Sequence, residues 1–183
     1  MAQAGIDVLT IGNAIVDVIA KVDEAFVQRN GLVKGSMNLI DEARAEELYA
    51  SMGPAIEISG GSAGNTAAGV ASFGGKAAYF GKVKADQLGS IYRHDMRAQK
   101  VQFDSKAATD GPATARSFIL VTPEGERTMN TYLGACVHLT VADVDEKIVS
   151  AAKVTYMEGY LWTSRKPRRP SSSQRRLRAR PAS

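Results

Sequence analysis

The stretch GGSAGNTAAGVASFGGKAAYFGKVKADQLG, residues 60–89, decides how the rest of the chain is read. It opens on paired glycines followed by small residues, Gly60-Gly61-Ser62-Ala63-Gly64-Asn65, between a short β-rich segment at 56–59 and a small-residue helix expected over 66–73. Gly74-Gly75 stops that helix, and a strand is expected at 77–80. Glycine lets backbone approach a ligand with no Cβ in the way, and a helix N-terminus offers free N–H donors. A tight strand-to-helix turn with no ligand has the same composition. The stretch has neither the Gly-Lys-Ser/Thr of a phosphate-binding P-loop nor the three-glycine dinucleotide fingerprint.

Toward the N-terminus, residues 7–12 and 14–22 read as two strands, with Asn13 between them and Asp17 inside the second. A carboxylate among Ile15, Val16, Val18 and Ile19 is costly to bury unless it is solvated or hydrogen-bonded. Substrate hydroxyls would satisfy it; an aspartate on the open face of an edge strand is the ordinary alternative. Residues 41–52 begin with a capping aspartate and read as a surface helix closed by Gly53-Pro54.

Toward the C-terminus, residues 86–100 place Leu88, Ile91, Tyr92, Met96 and Ala98 on one stripe of a polar segment, a helix that should cover a sheet. Residues 114–121 and 128–133 flank Pro123-Glu124-Gly125-Glu126 and read as a hairpin. A helix is expected over 141–150 and a buried strand at 154–157. Strands alternating with helices at this rhythm argue for a mostly parallel, layered α/β sheet with an antiparallel appendage.

Composition is that of a globular chain, 44% hydrophobic and 23% charged over 183 residues. Its longest apolar runs fall short of the roughly 18 to 20 residues of a membrane span, and the N-terminus has no basic leader. The reading is therefore a cytoplasmic protein. Cys136 is the sole cysteine, which excludes an intramolecular disulfide and a cysteine-rich metal site. The net charge of +4 is concentrated in residues 164–183, which hold eight basic residues and no acidic one. Residues 1–163 carry 15 basic against 19 acidic side chains, so the body is mildly acidic. The Arg/Pro/Ser-rich tail has one large apolar residue, Leu177, and is expected to be disordered. It raises nucleic-acid binding as an alternative function, but it has no aromatic residue to stack on bases, so only non-specific, salt-sensitive retention is expected.

Taken together, Gly12-Asn13-Ala14-Ile15-Val16-Asp17, the 60–89 stretch, and Gly125-Glu126-Arg127-Thr128-Met129-Asn130 through Gly134-Ala135 resemble the ribokinase-like (PfkB-type) carbohydrate and purine kinases. The resemblance runs from about residue 7 to residue 162, and it is strongest to the bacterial adenosine-kinase-like members. It implies an α/β fold, the N-terminal part of a ribokinase-like layered sheet with a small β-strand lid, over 1–163. It implies ATP-dependent phosphorylation of the 5′-hydroxyl of adenosine or a related sugar hydroxyl, with ATP and magnesium as cofactors. Carried over by position, Asp17 and Asn65 would hold the sugar hydroxyls, Asn13 would support them, and the Gly60-Gly61 backbone would lie against the ring. Arg127 is carried as a contact to the transferred phosphate, beside the plainer reading of an exposed turn arginine. The partner is then a small nucleoside or sugar, and the oligomeric state is open.

Departures from the pattern matter as much. The family's Gly-Ala-Gly-Asp segment, whose aspartate takes the acceptor proton, does not occur in this sequence, and no asparagine has the Glu of the family's Asn-x-x-Glu element three residues on. No catalytic residue is therefore assigned, and the chain alone is expected to be inactive, at most a non-catalytic sugar-binding fragment. Beyond Tyr160-Leu161-Trp162 the relatives run into an acidic, Ala/Lys-rich helix where this chain turns to Arg, Pro and Ser. With permitted codons, restoring one G after the Trp162 codon converts the next eight residues to Asp-Gln-Pro-Glu-Ala-Lys-Glu-Ala, so a reading-frame break is expected there. A sheet halted near Val154 is expected to leave an open edge and poor solubility.

Overall fold

Two sheets divide the chain between them. In the computed structural model, which describes residues 5–163, the first half runs β1 (Ile6–Ile11), β2 (Ile15–Lys21), α1 (Glu24–Arg29), β3 (Met37–Leu39), α2 (Glu42–Ser51), β4 (Ile56–Gly60) and α3 (Ser62–Ser72). It continues with β5 (Ala77–Phe80), α4 (Gln87–Ala98), β6 (Ala115–Val121), β7 (Arg127–Tyr132), α5 (Glu146–Ala151), β8 (Ala152–Met157) and α6 (Tyr160–Thr163), with two 3-10 turns between β7 and α5.

The body sheet is parallel in the order β5-β1-β8, with Val8 beside both Ala77 and Val154. The second sheet has the order β3-β7-β6-β2-β4 and is mixed: β2 runs parallel to β6 and antiparallel to β4. Lateral neighbours in a sheet point to one face, so Ile58, Asp17, Ser117, Thr131 and Leu39 form one row across this second sheet. The opposite face carries Val18 and Phe118 and is buried under α2, whose Ala45 and Leu48 are fully enclosed and whose Tyr49 ring lies 6.2 Å from Phe118. The row with Asp17 therefore faces away from the helices. There Ile56, Ile58, Met37 and Leu39 stay exposed.

Local chemistry explains the helix starts. Asp41 and Asp86 cap α2 and α4, accepting from the backbone N–H of Arg44 and Gly89 at 2.8 Å each. The Asp86 carboxylate also accepts from the N–H and hydroxyl of Thr114, tying α4 to the entry of β6. The apolar stripe of α4 puts Tyr92 and Met96 into the core with Tyr79 and Phe103. The 3-10 turn Val141–Asp143 is joined to the body by the Lys82–Asp143 ion pair.

The expected strands at 7–12, 14–22, 56–59 and 77–80, the helices after Asp41 and Asp86, and the hairpin all appear within a residue or two. Four points differ. The helix expected from residue 66 begins at Ser62, because its first turn finds a remote cap described below. Two short elements, α1 and β3, form in the segment between β2 and α2, where no periodic pattern announces them. The helix expected over 141–150 is split by Val144 and Asp145 into a 3-10 turn and α5. The strand expected to be buried at 154–157 is instead the edge of the body sheet, with Val154 57% and Tyr156 41% exposed, because β1 alone pairs with it. The expectations placed on residues 164–183, disorder and a frame break, lie outside the described residues.

Candidate functional site

The chain passes from the body sheet to the second sheet through Gly12-Asn13-Ala14 and returns through Gly60-Gly61, and the candidate residues gather at these two passages. Ile15, the first residue of β2, is the register partner of Gly60, the last of β4. The Asp17 carboxylate lies against the Cα of Gly60, in the space that a Cβ there would occupy. Gly61 has φ +81°, and its Cα faces the carbonyl oxygen of Asn13, so conformation and close approach both require glycine. Asn13, Asp17, Gly60 and Gly61 are thus one contiguous group.

Asp17 has no hydrogen-bond or ion-pair partner among the described residues, and partial burial alone pushes its carboxyl up to about 6. Its row neighbours Ser117 and Thr131 satisfy each other, hydroxyl to hydroxyl at 2.8 Å. The amide oxygen of Asn13 is buried and unpartnered too. Buried polar atoms are ordinarily paired, so the Asn13 amide oxygen and the half-buried Asp17 carboxylate are both open to hydrogen-bond donors from outside the chain. Ligand hydroxyl groups are such donors.

Asn65 sits one turn into α3, its backbone N–H donating to Gly61 O at 2.8 Å and its side chain exposed. It stands beside the passage, and no hydrogen bond joins it to Asp17 among the described residues. Arg127 is elsewhere. It opens β7 opposite Val121, on the face that carries Asp17 but four residues along the strand from the Thr131 row, roughly 13 Å at strand rise. It is exposed beside the hairpin turn.

One residue that holds the two passages together escaped the sequence reading. Glu158, directly after β8 and only 3% exposed, accepts from the N–H of Asn13 at 2.5 Å, from the N–H of Ala63 at 3.0 Å and from the Ser62 hydroxyl. One carboxylate therefore binds both passages: it closes the turn after β1 and caps the positive end of α3. A Cβ on Gly12 would collide with it. The available signal was an acid at the end of an apolar strand, followed by Gly159. Cys136, also buried nearby, has its thiol pushed up to about 12, chiefly by that burial. Among the described residues, no group of three His, Cys, Asp or Glu side chains comes together that could hold a metal ion. No helix among them is long and apolar enough to cross a membrane.

The fold is an α/β domain in which a parallel body sheet carries a second, mixed sheet, with Asn13, Asp17, Gly60 and Gly61 at the passages between them. Residues 6–169 match the pfkB family of carbohydrate kinases, and the chain belongs to that family. It is similar to the adenosine kinase from Sinorhizobium meliloti, at 63% identity and a TM-score of 0.82, covering 89% of this chain and 50% of that one. A probable sugar kinase protein from Rhizobium etli matches at 61% identity and a TM-score of 0.81, over 87% of this chain and 48% of its own. The guanosine-inosine kinase of Escherichia coli K12 is 28% identical over 84% of this chain and 37% of its own length. The chain thus spans half or less of the length of these relatives.

Proposed function

We propose that this chain is the acceptor-holding part of an ATP-dependent nucleoside kinase, in which the 5′-hydroxyl of adenosine, or a related sugar hydroxyl, receives the γ-phosphate. The observation that carries the reading is the Asp17 carboxylate, unpartnered and laid on the Gly60 backbone beside the N-terminus of α3. Two ribose hydroxyls donating to Asp17, with Asn65 reaching in from α3, would replace the hydrogen bonds that the carboxylate lacks. The exposed isoleucines of β4 offer an apolar wall for a base or ring. Adenosine is preferred over ribose and fructose as acceptor because a solved adenosine kinase shares 63% of its aligned residues with this chain.

ATP and magnesium belong to the family's reaction, but the residues present do not fit them: the Gly-Ala-Gly-Asp and Asn-x-x-Glu segments do not occur here, and no metal-holding cluster forms among the described residues. No phosphoryl-transfer step is therefore assigned to this chain. Phosphoryl transfer rests on positioning and charge stabilisation, and a chain that grips the acceptor without those groups binds but does not turn over. The open edge of β8 is the place where further strands of such a kinase would continue the body sheet. A small-molecule partner and a cytoplasmic location accompany this reading.

Titration calorimetry with adenosine, inosine, ribose and fructose tests it. Heat from adenosine that Asp17→Asn abolishes, with no ATP consumption, is the expected result. Absence of binding to all four ligands, or ATP-dependent phosphorylation of adenosine by the chain alone, would each refute part of the proposal.

A further inference from the structure

Beneath the two passages lie two tyrosines from different elements of the body. Tyr79, in β5, donates its hydroxyl to Gly12 O at 3.0 Å, and Tyr92, in α4, donates to Gly60 O at 3.1 Å. Each hydroxyl thus meets the carbonyl of one passage. The two rings are 6.0 Å apart and both pack on Phe103, at 5.3 and 5.5 Å. Both tyrosines are essentially fully buried.

Three features indicate that the hydroxyls matter and not only the rings. The hydroxyls meet carbonyls at two strand ends, Gly12 directly after β1 and Gly60 as the last residue of β4. Room is reserved for the hydroxyls: a Cβ on Gly64 would come within 2.5 Å of the Tyr92 oxygen, and one on Gly81 would press on that of Tyr79. Burial also raises both phenols well above their ordinary range, so both stay protonated donors at any working pH. Phenylalanine would fill the same core volume and remove both hydrogen bonds.

We infer that Tyr79 and Tyr92 are positioning residues, a paired pin in which the two hydroxyls fix the angle between the second sheet and the body. That angle sets how Asp17 and the Gly60-Gly61 backbone are presented to a ligand. The pin touches neither ligand nor reacting atoms. It acts through the strand ends, each held from below by a tyrosine and from the side by Glu158. The consequence for ligand affinity rests on the function proposed above; the consequence for the inter-sheet angle does not.

The test uses the whole chain with spin labels on Ala50→Cys in α2 and Ser72→Cys in α3, both exposed, while the native Cys136 is buried and stays unlabelled. These helices ride on the second sheet and the body sheet respectively. Electron–electron distance measurements on the labelled chain should give a narrow distribution. Tyr79→Phe and Tyr92→Phe should each broaden it, and the double variant should roughly double its width. Adenosine affinity should fall about tenfold, the worth of one or two lost hydrogen bonds. A role in packing alone would lower the melting temperature and leave the distribution unchanged, and that result overturns the inference. If a phenylalanine variant does not fold, Gly64→Ala, which puts a methyl where the Tyr92 hydroxyl sits, is read the same way. Should the unsubstituted chain bind no adenosine, the proposed function falls and the distance measurement still decides the pin.

Discussion

The carboxylate of Asp17 occupies the space that a side chain on Gly60 would need, so the two residues are sterically interlocked. A methyl group at residue 60 must displace either the carboxylate or the β2–β4 pairing. Gly60→Ala is expected to destabilise the chain by about 1 to 3 kcal/mol, as overpacking does, and to remove ligand binding. Thermal unfolding and calorimetry check it together. Binding at the unsubstituted affinity would show that Asp17 is not the group that holds the ligand.

The raised carboxyl of Asp17 sets a pH dependence with a definite sign. Its folded-state value of about 6 lies above the ordinary 3.8, so the folded form holds this proton longer than the unfolded form does. Stability from this group is present at low pH and declines as pH rises from about 4 to about 6. Ligand hydroxyls donate to the ionised form, so affinity should run the other way, rising through about pH 6 and levelling above it. Calorimetry across that window should give this profile, and Asp17→Asn should flatten whatever affinity remains.

Glu158 joins both passages with charge-assisted hydrogen bonds to Asn13, Ser62 and Ala63. Glu158→Ala leaves two buried N–H groups unpaired and an uncapped helix, an expected loss of about 2 to 4 kcal/mol. Glu158→Gln keeps one acceptor oxygen and should lose less. Denaturant unfolding of the two variants tests the order; equal stability of both would mean that the acceptor oxygen kept by glutamine contributes nothing.

The uncovered edge strand β8 should make the isolated chain self-associate. Val154 and Tyr156, 57% and 41% exposed, share a face of a parallel sheet, a kind normally covered on both sides. Val154→Lys and Tyr156→Lys together should raise the concentration at which light scattering appears while leaving the melting temperature within a few degrees. Unchanged scattering would place the sticky surface elsewhere, with the exposed Ile56, Ile58 and Leu39 next in line.

The parts of the site that could be read in advance are those whose signal is local. Gly60-Gly61 before a small-residue helix, and a carboxylate inside an apolar run at Asp17, each announce themselves within a few residues. Register then brings them together, because Ile15 pairs with Gly60. Glu158 could not be seen this way: its three partners lie 95 to 145 residues upstream. The same remoteness hid the true start of α3, whose cap is that glutamate and not a preceding Ser or Asp. The segment Val154-Thr155-Tyr156-Met157 has the composition of a buried strand, and the open edge expected near Val154 is what leaves its side chains exposed. Arg127 reads alike in sequence whether it reaches a phosphate or solvent, and only the hairpin register places it four residues from the Asp17 row.

The long reach of Glu158 also dictates when the cleft can form during synthesis. Gly12, Asn13 and the start of α3 leave the ribosome early, yet the carboxylate that locks them arrives only after β8 has been made. Until then the turn and the helix end lack the carboxylate that joins them, and closing so long a loop is slow. A ribosome-bound intermediate stopped before residue 158 should leave residues 12–14 and 60–63 accessible to protease, and extension past that residue should protect them.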